Sequence, residues 1–283
     1  MMKKGKRFEW GYLLLIPGIG YILLFIIMST YVMIMQSLGY YNYTGESGFS
    51  LQFWGEVFDQ QFLDSLLYSL KIGIGSSMIS IVICYPFVLI LQKTKGKRIL
   101  LSIMKTPMFI PALVGSFLII NIIDYHGIVN ELLVFLRIIE EPLRLRNDKY
   151  GIGVLMIQVW KNVPFQMLIM SSAIESIRKD VVDAARNLGA NIFSIIRHII
   201  LPLTLPSALI AVTLVFIGTF NDFAVSNTAG PLYPNSLSSL MLRNANVFGE
   251  WNLSACIGTM MMITTILLVS IYTLIAKRLE KLD

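Results

Sequence analysis

Residues 175–208 read ESIRKDVVDAARNLGANIFSIIRHIILPLTLPSA. The stretch lies between two apolar runs, yet it is too polar to cross a bilayer and too patterned to be a plain linker. Val182, Ala185 and Leu188 or Gly189 recur at three- and four-residue spacing, which predicts a helix over 181–188 with two alanines in its middle. Gly189 then lets the chain turn, because glycine alone takes a left-handed C-terminal position without steric cost. A second apolar helical stretch, 192–201, leads to Pro202, where a new helix is expected to start.

The sequence on either side decides what this stretch connects. Of the 283 residues, 55% are hydrophobic and 14% are charged, with a mean hydropathy of +0.70. Soluble domains carry roughly 25% charged residues. The apolar residues fall in runs near the length of about 20 needed to cross a hydrocarbon core about 30 Å thick. Unpaired backbone groups are not tolerated in lipid, so the runs should be helices. The expected spans are about residues 11–35, 62–91, 99–123, 151–173, 203–223 and 253–276, with a loop at 176–202. The fold class is therefore an all-α membrane protein, one transmembrane domain over residues 1–283. Prolines 17, 86, 107, 111, 164 and 206 fall within or beside these runs, as is tolerated where neighbouring helices or water take up freed carbonyls.

The opening MMKKGKR resembles the start of a signal peptide. The apolar run after it continues to about Met35 without a small-residue cleavage site, so an uncleaved first span is the expectation. Cys84 and Cys256 sit inside separate apolar runs and read as small core residues, not as a disulfide or metal framework.

The net charge of +6 does not point to nucleic acid, because the basic residues cluster at the ends of apolar runs. With the N-terminus inside, fifteen of them fall in inside segments (3–7, 93–98, 178–197 and 277–281). Five fall outside: Arg137, Arg144, Arg146, Lys149 and Arg243. That bias predicts that both termini are cytoplasmic. Lys71, Lys105 and Lys161 fall within spans. Trp10, Trp54 and Trp251 lie near span ends, where aromatic anchors belong. Residues 130–145 have apolar positions at helical spacing, which suggests an amphipathic helix at the outer surface or a packing element over the bundle.

The quoted stretch resembles the cytoplasmic EAA loop of binding-protein-dependent ABC importer permeases. That family's pattern is E-A-A, three residues, G, nine residues, I-x-L-P. Here it reads Asp183-Ala184-Ala185, Gly189, then Ile199-Ile200-Leu201-Pro202, with Asp in place of Glu. The run 69–91, GIVNELL at 127–133 and the segment 220–251 are similar to permeases of the spermidine/putrescine-type branch. The resemblance implies the ABC importer type I permease fold in a cell inner membrane. Its implied partners are two ATP-binding cassette subunits, a second permease subunit (similar or identical) and an external solute-binding protein. The short helix before Gly189 would sit in a groove of the ATPase, with Ala184 and Ala185 permitting close approach and Asp183 offering a carboxylate. ATP and Mg would be held by that partner and no cofactor by this chain, which has no G-x-x-x-x-G-K-[ST] phosphate loop.

Charges inside spans are costly unless they face a cavity or a partner. Lys71 and Lys105 lie near span ends and can snorkel. Lys161 lies near the middle of the fourth span beside Trp160, Asn162 and Pro164, a polar and broken patch that lines a translocation path or forms a structural ion pair. Asn221 and Asp222 are its candidate acidic counterpart, and Asp124 ends the third span similarly. The cargo expected from the resemblance is a polyamine, with a sugar, phosphonate or iron complex as alternatives. An ion-coupled secondary transporter would leave the loop motif unexplained. An intramembrane enzyme is disfavoured because His126 and His198 fall on opposite sides of the membrane.

Overall fold

The computed structural model describes residues 16–43, 45–92 and 94–280. Trp10, residues 3–7, Lys93, Lys281 and the start of the first expected span (11–15) lie outside the described residues. No β-strand occurs among the described residues. Among the described residues, six helical stretches are long and apolar enough to cross a membrane: 17–37, 60–91, 112–135, 152–175, 192–220 and 251–276.

The chain forms two compact units. The first comprises residues 1–58 and 241–260 and contains α1 (Ile16–Ser37) and α2 (Gln52–Val57). Tyr21, Ile22, Leu24 and Ile27 of α1 are all more than half exposed, as lipid-facing side chains should be. Within this unit the last long helix is tied to the end of α1. Asn252 Nδ2 donates to the Gln36 carbonyl at 2.8 Å, and Cys256 Sγ lies 3.3 Å from the Ser37 carbonyl.

The second unit comprises residues 59–240 and 261–283. It carries α3 (Gln60–Leu91), α4 (Lys97–Met104), α5 (Ala112–Ile123), α6 (Ile128–Phe135), α7 (Ile152–Glu175) and α8 (Lys179–Asn187). After these come α9 (Ile192–Ile195), α10 (Leu201–Phe220) and α11 (Ala224–Ala229), then α12 (Leu237–Asn246) and α13 (Trp251–Glu280), which contribute to both units. Its centre is the packing of α3, α7 and α10. One side of α3 buries Ser65, Ser69, Gly73, Ser76, Ser80 and Cys84, small residues that let helices approach closely where no hydrophobic effect drives them together. Polar atoms in this seam cross-link the helices: Gln166 Nε2 donates to the Ser77 carbonyl at 3.1 Å, and the Tyr85 and Thr204 hydroxyls lie 2.8 Å apart.

Three expectations change. The third apolar run is not one helix over 99–123. It stops at Met104, passes through a 3₁₀ turn at Thr106–Phe109, and resumes at Ala112. Ile110 and Pro111 are extended between the two pieces, because a proline ring disfavours helical backbone in the residue before it. Lys105 therefore ends a short helix instead of sitting within a span. The fifth run is not divided at Pro202 either. Helix continues from Ile192 to Phe220, with a π turn at Ile196–Ile200 just before the proline. That wider turn accommodates a ring that would otherwise clash with the preceding turn. Finally, residues 130–145 form helix only as far as Phe135. Arg137 takes φ 55°, and Asn130 is buried instead of facing water, bonding the Asp124 carbonyl and both backbone groups of Leu143.

Candidate functional site

The loop after α7 folds as two helices joined at Gly189. Gly189 N–H donates to the Arg186 carbonyl at 2.9 Å and Ala190 N–H to the Ala185 carbonyl at 3.0 Å. This is the paired bonding of a Schellman end, and it requires a left-handed residue. Gly189 supplies it at φ +81°. Asn191 starts the next helix by accepting the Ser194 N–H at 2.8 Å. That cap is legible as an Asn immediately before an apolar helical run, although the motif does not include it.

The first of these helices, α8, buries none of its residues. Leu188 at its end is 88% exposed and Val181 is 42% exposed. Asp183 and Ala184 are exposed and Ala185 half-buried. The Asp183 carboxylate pairs with Arg186 one turn on, at 3.1 Å and in solvent, a contact of small energetic weight. Ile199, Leu201 and Pro202 belong to the second of these helices where it runs on into α10. They lie in the π turn and first turn of α10, beside Ile195 and Thr204, which are buried. The motif thus spans an exposed helix, a fixed turn and the root of a membrane helix.

A four-residue network pins the base of this loop, and no spacing in the sequence announces it. Lys97 Nζ lies 2.6 Å from Glu175 Oε1 and donates to Gln92 Oε1 at 2.6 Å. Ser171 donates to Glu175 at 2.9 Å, and Gln92 Nε2 reaches Ser171 at 3.4 Å. The ends of α3 and α7 and the start of α4 therefore meet where α7 gives way to α8.

Within the membrane, Lys161 Nζ lies 3.3 Å from Asp222 Oδ2, with side chains 31% and 9% exposed. The other carboxylate oxygen, Oδ1, accepts the Val225 N–H at 2.7 Å and so caps α11. Asn162 donates to the Gln158 carbonyl at 2.8 Å and lies 3.3 Å from both Gln158 Oε1 and Thr219 Oγ1. Trp160 instead packs its ring against Gly115 of α5. Asn221 is exposed and bonds only the Ile217 carbonyl of its own helix. The structure therefore joins Lys161 to Asp222 and Asn162 to α10, and leaves Trp160 and Asn221 to one side. Asp124 is apart from this group. It pairs with Arg146 at 3.6 Å in a cleft that also holds Tyr125, His126, Arg144 and Asn147. Lys71 reaches the Tyr150 carbonyl at 3.0 Å, just before α7 begins.

Comparison with known proteins places this arrangement. The model of the family described as binding-protein-dependent transport system inner membrane component matches residues 77–281, well over half of the chain. The spermidine/putrescine transport system permease protein PotB of Escherichia coli is 27% identical over 184 residues. That match covers 64% of this chain and 66% of the relative, slightly under two thirds of its length. The trehalose/maltose transport system permease protein MalF of Thermococcus litoralis is 24% identical over 292 residues, covering 96% of this chain and 94% of that one. Among solved structures, a bacterial ABC transporter involved in the import of the acidic polysaccharide alginate superposes with a TM-score of 0.79 at 16% identity, covering 94% of both chains. The MetNI methionine ABC transporter does so at 0.58 and 16% identity, covering 78% of this chain and 95% of that one. The chain thus belongs to the family of binding-protein-dependent transport system inner membrane components and has the fold of an ABC importer permease.

Proposed function

We propose that this chain is the permease subunit of an ATP-driven importer, lining the path of a polyamine-type solute delivered by an external binding protein. The observation that carries the coupling half of this reading is the unpartnered α8. An isolated nine-residue helix is marginal in water, yet α8 is capped by a fixed turn and presents Leu188 almost fully exposed. A rigid exposed helix with an apolar corner fits a groove on another protein. The family supplies the candidate: two ATP-binding subunits that hold ATP and Mg and perform the hydrolysis. Their closure would push α8 as a rigid body and reorient the helices rooted at Glu175 and Ile192. The loop would then face the cytoplasm, with both termini on that side, as the basic-residue bias requires. A second permease subunit would complete the path.

The polyamine half rests on the relatives that carry spermidine and putrescine in their names and on the buried carboxylate of Asp222 beside the end of α10. A relative matched over 96% of this chain is named for trehalose and maltose, so a sugar is the second reading. The deciding experiment is reconstitution with the cognate ATPase and binding protein in sealed proteoliposomes. Spermidine or putrescine should stimulate ATP hydrolysis and trehalose or maltose should not. Stimulation by the sugar alone would overturn the polyamine reading, and uptake driven by an ion gradient without ATPase would overturn the coupling reading.

A further inference from the structure

The Lys161–Asp222 pair is unequal, and the inequality identifies its chemistry. Asp222 is held from three directions: its side chain is 9% exposed, Oδ1 caps α11 through Val225 N–H, and its carbonyl accepts the Ser238 hydroxyl at 2.9 Å. Lys161 is held by one contact of 3.3 Å at the end of a long flexible stem, and its side chain is 31% exposed. It lies nine residues into α7, about 14 Å below the helix start at 1.5 Å per residue. An ammonium at that depth is not stable against lipid tails, so its exposed part faces water or protein. The fixed member is therefore an anion, and the movable member is a primary alkylammonium whose side chain is partly exposed.

We propose that Lys161 is the tethered occupant of a cation site built on Asp222, and that an ammonium group of the cargo replaces it during passage. That the ammonium comes from the cargo rests on the polyamine reading above, whereas the site's preference for alkylammonium groups rests on the pair itself. Replacement exchanges one ion pair for another of the same chemistry, so the carboxylate is never left unpaired in the membrane, the costly condition for a buried charge. The displaced Lys161 would swing on its flexible stem toward its exposed side. Its return expels the cargo, which keeps the site weak enough to release what it binds. An anionic cargo that took Lys161 as its partner would leave the buried Asp222 carboxylate with only its Val225 N–H bond, the costly unpaired state.

The test is equilibrium binding of radiolabelled spermidine to the permease–ATPase complex in nanodiscs, without binding protein. A competitor that occupies the site nine-tenths of the time weakens apparent affinity about tenfold. Lys161→Met should therefore bind spermidine about tenfold more tightly than wild type. Adding Asp222→Asn should remove that gain. Lys161→Arg keeps a cation with a firmer grip on the carboxylate and should bind no more tightly than wild type. Equal affinity in wild type and Lys161→Met, or a gain that survives Asp222→Asn, overturns the proposal. If Lys161→Met does not assemble, tighter binding by Lys161→Arg overturns it instead. Uptake by the wild-type system with its own binding protein tests the cargo separately. Polyamine uptake without the affinity gain sinks the site and keeps the cargo. The gain without polyamine uptake does the reverse.

Discussion

Gly189 has φ +81° and nothing within 4 Å of where a Cβ would stand, whereas Gly73 has Phe216 2.9 Å from that point and Phe220 3.4 Å from it. The first is glycine for its backbone and the second for room. Any L-residue at Gly189 takes a left-handed conformation at roughly 1–2 kcal/mol. Because α8 buries none of its residues, Gly189→Ala can relieve that strain by opening the turn locally, so the unfolding temperature of the detergent-solubilised protein should change little, while uptake per ATP hydrolysed falls because α8 no longer holds its angle. Gly73→Ala should do the opposite. Phe216 stacks on Phe220 at 5.4 Å and has little freedom to yield, so overpacking of about 1–3 kcal/mol should lower the unfolding temperature. A Gly189→Ala variant that unfolds early but couples normally would refute the distinction. Gly189 was legible because its signal is local, a helical period that stops. Gly73 was not, since the residues that crowd it, Phe216 and Phe220, belong to another helix.

Legibility at the scale of elements follows the same divide. The helix expected at 181–188 appears at Lys179–Asn187, because period and end signal share one short stretch. The break at Ile110–Pro111 was present in the sequence as two prolines four residues apart, but hydropathy averages over them and reads a single run. The Lys161–Asp222 contact joins residues 61 apart; charge alone nominated the 221–222 pair as the counterpart of Lys161, and how α7 meets the end of α10 decides that Asp222 makes the contact while Asn221 does not. The Lys97–Glu175 network is equally non-local, and it sits where α7 hands over to α8. Both side chains are partly exposed, at 24% and 50%, so the pair is worth at most about 1 kcal/mol to stability. Its consequence should lie in coupling. Lys97→Glu should raise ATP hydrolysis without matching uptake, and Lys97→Glu combined with Glu175→Lys should restore the ratio. No recovery in the exchanged pair would mean that the network only packs. For α8 itself, Leu188→Ala removes a side chain whose burial is worth about 1.5–3 kcal/mol. Co-purification of the ATPase should weaken about tenfold or more, and undiminished recovery would separate α8 from that partner.

For the whole chain, the distribution of charge and the exposed loops allow orientation to be tested without a ligand. The fifteen-to-five division of basic residues predicts the α8 loop in the cytoplasm and the connection after α11 outside. Each of these segments offers one leucine that is almost fully exposed: Leu188 at 88% and Leu232 at 86%. Neither belongs to the buried core, so cysteine at either position should leave the fold intact. Cys84 and Cys256 are both fully buried at 0% and should stay silent to a bulky reagent. A membrane-impermeant maleimide applied to intact cells should label Leu232→Cys at once and Leu188→Cys only after permeabilisation. The reverse pattern would invert the topology and place α8 away from ATP. Labelling of both in intact cells would mean that the loop is reachable through the path, and the same reagent should then be excluded when the ATPase is bound to α8. The expected pattern puts the exposed helix on the side where ATP is hydrolysed, as a docking helix for an ATPase must be.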